Sequence, residues 1–573
     1  MKGVKVAMQH IVNPQQTSLF DPYERVFSKL AYRRIIEGWQ GVFRKVILEI
    51  MPVDIIAGKF SESDGRPTKE LYSMAGLVFI MQFHNWTIEQ AAEEYMINLG
   101  VQYALNLAPG GQSLSPRTLD RYLAIFRECD IAEKVFHDVT QALVKALEKD
   151  VSRQRLDSTH IFSNMARFGR TQLMGVVVKR FLTQVHRHDI LAYETLPAEL
   201  LARYAPAANR LFGDTVNDIK SRKLIRQQVA EDMLMLIQWF EDTDHADRTS
   251  FKQLVRVFNE QCTVEEKRVK IKEKAGSRVL QNPSDPDATY DGLKGPGYQA
   301  QVAETCTDGD VQLITAVIPQ TAAEPDCEAV LPVCRDLHEK GLVPEIMLCD
   351  AAYGSDANVQ NCKAKEVELI SPVNRSRRND GKMHVDDFDI DPVTECVRRC
   401  PAGHAPLQST YDPSSGKTRS IFDGALCRAC PNLAQCPTTG KGNRRTFRHT
   451  PAQRRNAERL KKEETPAFRS VYSKRAGIEG TFSRIKSCLS LHRLRVRGSK
   501  PVFMALFLKL AGWNILQAAK SNTLRRKIAA EIWVFSTNPF PKWLSIPVFR
   551  FHYHLFNRPV LRSPLKGFLM HAG

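Results

Sequence analysis

No run of about 18 uncharged apolar residues occurs in the 573-residue chain, the minimum for a spanning helix. The best candidate, 501–519, is interrupted by Lys509 and reads better as a buried helix. The N-terminus, MKGVKVAMQHIVNPQQ, lacks the long apolar stretch of a secretory signal. A membrane protein and an exported protein are therefore not expected. Acids are also scarce: 63 Asp and Glu stand against 81 Lys and Arg, a net charge of +18. Thirteen cysteines cannot all pair, and in a large chain without a signal they read as reduced cytoplasmic thiols.

The basic excess is clustered. Residues 441–462 hold nine Lys or Arg and one acid, Glu458, and residues 480–500 hold no acid at all. Clustering of this kind points to a polyanionic partner rather than to general solubility. The length suggests about three or four domains, and the 43% hydrophobic fraction is enough to give them cores.

Residues 20–150 read as a helical N-terminal domain. An apolar helix runs from Thr68 to Phe83. Thr87 caps the next, with Gln90 completing a capping box. Ser115 and Pro116 open a third, and 130–149 is a fourth periodic segment. The Gly110-Gly111 turn permits a helix-turn-helix-like arrangement for DNA ends; an ordinary helical bundle fits equally well. From 151 the pattern changes. Residues 151–164 form a strand ending in polar residues, and 168–280 return to helical periodicity as an insertion. Strands at 297–306 and 311–319, a helix at 325–340 and strands at 345–349 and 367–373 follow. A helix from about 466 to 487 comes last. This order gives a mixed α/β core interrupted twice.

The second interruption, 390–440, carries Cys396, Cys400, His404, Cys427, Cys430 and Cys436. Cys427 and Cys430 have the spacing with which two thiolates grip one tetrahedral zinc. Cys400 and Cys436 are the natural third and fourth ligands, with Cys396 and His404 in reserve. The surroundings are too poor in apolar residues for an unaided core, so the metal would be structural.

Tyr472, Arg475, Glu479 and Lys486 lie at offsets of 3, 7 and 14. On one helix they share an arc of roughly 60°. A carboxylate flanked by two cations and a phenol suits a divalent metal and a phosphate. Asp157, at the polar end of the first strand, and Asp350, at the end of the fourth, are the acids that could join Glu479. Three carboxylates are hard oxygen ligands for Mg²⁺ or Mn²⁺, and a pair of such ions activates a hydroxyl and stabilises a leaving oxygen.

Together these residues resemble the DDE transposases of bacterial insertion sequences, in the branch with the signature Tyr-x2-Arg-x3-Glu-x6-Lys. RLDSTHI around Asp157, DPDATYDGLKGPGYQAQ, LCDAAYGS around Asp350, and CPAGH with CRACPNLAQC are similar to the motifs of its cysteine-bearing group. The resemblance spans roughly 20–520. It implies a ribonuclease-H-like catalytic domain over 151–520 with a zinc-ribbon-like insertion. It implies Asp157, Asp350 and Glu479 as ligands of two divalent metal ions. Tyr472, Arg475 and Lys486 would contact double-stranded DNA, at transposon ends and at the target. It further implies a homodimer in the synaptic complex and a bacterial cytoplasmic setting. A catalytically inactive DNA-binding derivative and a metal-dependent nuclease on the same fold are the alternatives. The tail, 521–573, is basic and aromatic and has no assigned role.

Overall fold

The computed structural model describes residues 21–527 except 62–66, 213–217, 267, 375–380 and 441. Most of the expected tail therefore lies outside the described residues.

The N-terminal block is helical: α1 (Leu71–His84), α2 (Ile88–Ile97), α3 (Pro116–Glu128) and α4 (Ile131–Leu147) follow shorter helices between residues 22 and 57. The sequence placed the start of α1 at Thr68. It starts at Leu71 because the Glu70 carboxylate accepts from the Tyr72 and Ser73 amides and caps it. The Thr87–Gln90 capping box and the Ser115 cap with Pro116 are present. Gly110 and Gly111 both take positive φ in the loop between α2 and α3.

Strand β1 (Arg153–Ile161) leads into the first insertion, built on α5 (Arg170–His188), α6 (Ile219–Phe240) and α7 (Thr249–Gln261). Strands β2 (Gly295–Thr305) and β3 (Ile314–Thr321) come next, then α8 (Val330–Glu339), β4 (Ile346–Leu348), α9 (Asp356–Lys363) and β5 (Glu368–Ile370). Among these, the sheet order is β3-β2-β1-β4-β5. Strands β1, β2 and β3 pair antiparallel, while β4 and β5 run parallel to β1. This mixed sheet with helices packed on it is consistent with the ribonuclease-H-like fold that the resemblance implies.

The second insertion contains a three-stranded antiparallel sheet of β6 (Gln408–Asp412), β7 (Lys417–Asp423) and β8 (Arg444–His449). The described chain ends in helices that include α10 (Pro451–Glu463), α11 (Gly477–Cys488) and α12 (Ser499–Ala518). Helix α12 is long and apolar enough to cross a membrane by length and composition, but most of it is buried within the protein. It shares one continuous core with α1, α3, α4 and the side of the sheet lined by Tyr298, Ala300 and Val302. Lys509, inside this helix, donates to the carbonyl oxygens of Gln82 and Leu489 at 2.8 Å each, which satisfies a buried ammonium.

Candidate active site

Register brings the first two acids together. Arg155 of β1 pairs with Leu348 of β4, and the two strands run parallel. Two residues further along each chain stand Asp157 and Asp350. Asp157 lies mid-strand, not at the strand end that its polar surroundings suggested. The reason is that β1 continues its pairing with β2 as far as Ile161 but leaves β4 at Arg155. Asp157 is thus exposed to the gap beyond the end of β4. The Ser158 amide donates to Asp157, and the Ala352 amide to Asp350, both at 2.8 Å.

Glu479 arrives on α11, whose position is set by a buried cluster. Arg155 donates to Glu304 of β2 at 2.7 Å and to the carbonyl of Lys474 at 2.9 Å. Thr481 of α11 donates to the other Glu304 oxygen at 2.8 Å. Arg155 and Glu304 are direct cross-strand partners. Burial pushes the Glu304 carboxyl up, and Arg155 opposes that. Gly477 lies directly on this cluster: a Cβ there would be 2.0 Å from Nη1 of Arg155. Neither Arg155 nor Glu304 was singled out in the sequence. No local signal marked them, because both strands, RQRLDSTHI and GPGYQAQVAET, carry several other polar residues.

The segment 466–487 is not one helix. Pro466–Tyr472 is helical, Ser473–Ala476 tightens into a 3-10 turn, and α11 begins at Gly477. The turn breaks the single stripe and swings Arg475 into the space between the acids. Its Nη2 lies 2.8 Å from Asp157 and 4.0 Å from Asp350, and its Nη1 lies 3.1 Å from Glu479. The three expected ligands therefore face one guanidinium. Burial raises the Asp157 carboxyl above its ordinary range; Arg475 lowers it, and Asp350 and Asp326 push it up again.

Tyr472 stacks on Phe468 at 5.5 Å, and burial raises its phenol. Lys486 is half-buried, and burial, then Lys294, lowers its ammonium. Lys294 also approaches the site, with its Nζ 3.2 Å from Ser158 Oγ. The hydroxyl of Ser158 lies 3.2 Å from Asp326, and Asp326 also accepts from Gln301 at 2.8 Å. His160, beside Lys294, has its ring 3.3 Å from the Pro296 carbonyl and is lowered mainly by burial.

The thiols of Cys400, Cys427, Cys430 and Cys436 line one small cavity with His404. All thirteen cysteines are free. Burial raises the Cys427 thiol, and Cys436, Cys400 and Cys430 add to it. Cys396 is elsewhere, donating to the Ser409 carbonyl at 3.3 Å. Among the described residues, no group of three or more His, Cys, Asp or Glu is spaced to hold a metal ion. Both donor sets nevertheless suit one chemically. Three hard carboxylates already surround a cation, the Arg475 guanidinium, and thiols lining one cavity are donors of the kind a softer ion takes.

A mixed sheet in this order, with carboxylates gathered beside its central strands, is consistent with a ribonuclease-H-like core. Residues 399–519, which include Glu479, match the family model described as transposase DDE domain. No curated protein matches the chain. Among solved structures, the cryo-EM structure of a piggyBac transposase synaptic complex with hairpin DNA aligns over 69% of this chain and 77% of that one, at 11% identity and a TM-score of 0.21.

Proposed function

We propose that the chain is a DNA transposase of a bacterial insertion sequence, acting in the cytoplasm, that cuts transposon ends and joins them to target DNA. The observation that carries the reading is the meeting of Asp157, Asp350 and Glu479 from β1, the loop after β4 and α11. These three carboxylates would hold divalent metal, Mg²⁺ or Mn²⁺. When bound, such metal activates the attacking hydroxyl and offsets the charge that develops at phosphorus. Arg475 reaches all three acids and is placed to pair with a phosphate oxygen. Lys486 and Lys294 flank Asp157 and would hold the DNA backbone on either side. Tyr472 would contact a phosphate or a base. The Arg155–Glu304–Thr481 cluster fixes how far Glu479 stands from the sheet. A structural zinc at Cys400, Cys427, Cys430 and Cys436 would close the second insertion. Synapsis of two ends would bring two copies of the chain together.

The test is cleavage of a duplex carrying the element's terminus. Asp157→Asn, Asp350→Asn and Glu479→Gln should each abolish Mg²⁺-dependent cutting while DNA binding survives. Normal cutting by any of the three would overturn the assignment. The nuclease alternative would cut without joining, so strand transfer into a target plasmid separates the two.

A further inference from the structure

We infer that the cleft between the helical insertion and the Pro283–Pro286 loop, together with the exposed arginines at 493–497, is a groove for duplex DNA that grips a backbone phosphate between Arg180 and Arg497. The inference rests on the transposase reading and gives the helical insertion a role in it. The cleft holds about 920 Å³ and is lined by Lys179, Arg180 and Arg248 among neutral residues. Asp247, its one acidic lining residue among those described, is paired with Lys252. Arg180 donates to Ser284 on the loop, and Arg497 stands two residues before Ser499, whose hydroxyl donates to Asp287 at the end of the same loop; burial lowers the Arg180 guanidinium and Arg497 lowers it further. No ion pair to an acid is formed by Arg180, Arg493, Arg495 or Arg497 among the described residues. The buried Nε of Arg248 and hydroxyl of Ser250 are without a partner there.

The cleft is rigidly built. The loop that forms one wall is tied to the insertion by Arg180 to Ser284 at 2.8 Å, Gln253 to the Pro283 carbonyl at 3.0 Å and Arg256 to the Pro286 carbonyl at 3.1 Å. It is tied to the end of β1 by Ser163 to Asp285, and to the start of α12 by Ser499 to Asp287. The arginine loop is equally fixed. Leu494 donates to the Phe162 carbonyl and Asn164 to the Val496 carbonyl, both at 2.8 Å. Leu491 and Leu494 are buried while Arg493, Arg495 and Arg497 are exposed, so apolar anchors alternate with presented charge.

Continuity with the candidate active site selects duplex DNA as the occupant. The arginine loop extends β1 beyond Asp157. Just past the end of β1, Phe162 bridges Arg493 of the arginine loop. From Asp157 to Ile161, the last residue of β1, the chain advances four residues, about 13 Å at ~3.3 Å each. At ~3.4 Å per base pair that is about four base pairs of duplex. A duplex cut at Asp157 and lying along β1 would reach the arginine loop beyond that point.

The experiment uses the full chain and a fluorescein-labelled mixed-sequence duplex of about 30 base pairs, without divalent metal, titrated from ~50 to ~300 mM KCl. Arg180→Gln with Arg497→Gln should weaken binding roughly tenfold and make the log–log salt dependence shallower by about one. Lys417→Gln, on the distant β7, should bind as the wild type. Wild-type affinity and slope in the double variant would overturn the groove. Arg497→Gln alone, on an exposed loop, carries the same test if Arg180→Gln does not fold. Wild-type binding by the double variant alongside Mg²⁺-dependent cleavage would sink the groove and leave the transposase reading standing. A wild-type chain that neither binds nor cuts duplex would sink both.

Discussion

The two insertions solve the same problem by different means. The helical insertion closes around its own apolar core. Phe181, Phe240, Phe251, Leu254 and Val257 are buried in one cluster, and the Phe181 ring lies 5.1 Å from Phe240 and 5.4 Å from Phe251. The apolar cluster of the cysteine-bearing insertion, among the described residues, holds the buried Phe388, Val397, Phe422 and Phe447, with Cys400, Cys427 and Cys436 packed beside them. Small units with so little apolar burial need a further tether. One insertion has a large apolar core, and the other has four buried apolar side chains with thiols packed beside them.

Three measurements would break or sharpen that contrast. The largest effect is expected from Cys427→Ser with Cys430→Ser, or from a strong chelator. Either should remove about one zinc per chain and release 390–440 to proteolysis while 168–280 stays protected. Structural zinc contributes on the order of 10 kcal/mol to small metal-held domains. Purified wild-type protein with no zinc would end the contrast as drawn. Next comes Phe181→Ala, which should destabilise the helical insertion by about 3–5 kcal/mol, read by denaturant unfolding. It should leave the zinc content unchanged; a matching loss of zinc would mean that the two insertions fold as one unit.

The smallest effect concerns pH. Burial lowers the imidazole of His449, on β8, below its ordinary value of 6.5. A depressed folded value means that the unfolded chain binds the proton first. The stability of this insertion should be full above about pH 6.5 and fall as the pH drops below it. His449→Gln should flatten the imidazole part of the dependence in hydrogen-exchange measurements between about pH 5 and 7. An unchanged profile would remove His449 from the explanation.

The strands of the core were legible where apolar residues formed short blocks, as at 297–306 and 345–349. Helix starts were legible where a side chain caps them, as at Thr87 and Ser115. The sheet of the second insertion was not. β6 is nowhere buried and β7 alternates with polar residues, so neither leaves an apolar trace. The three acids could be named from local motifs, because each sits in its own short pattern. The placing of Arg475 among them could not. It depends on the 3-10 turn at 473–476 and on Arg155 and Glu304, which are 149 residues apart and meet only through sheet register.

Gly477 has a consequence for how far the three acids alone define the site. The space for its Cβ is filled by the Arg155 guanidinium, so a larger side chain there needs α11 or the Arg155 side chain to shift. Arg155 also bonds Glu304 and the Lys474 carbonyl, so such a shift would reach the turn that carries Arg475. A chain altered only at this position would keep every acid and every cysteine around a differently seated guanidinium.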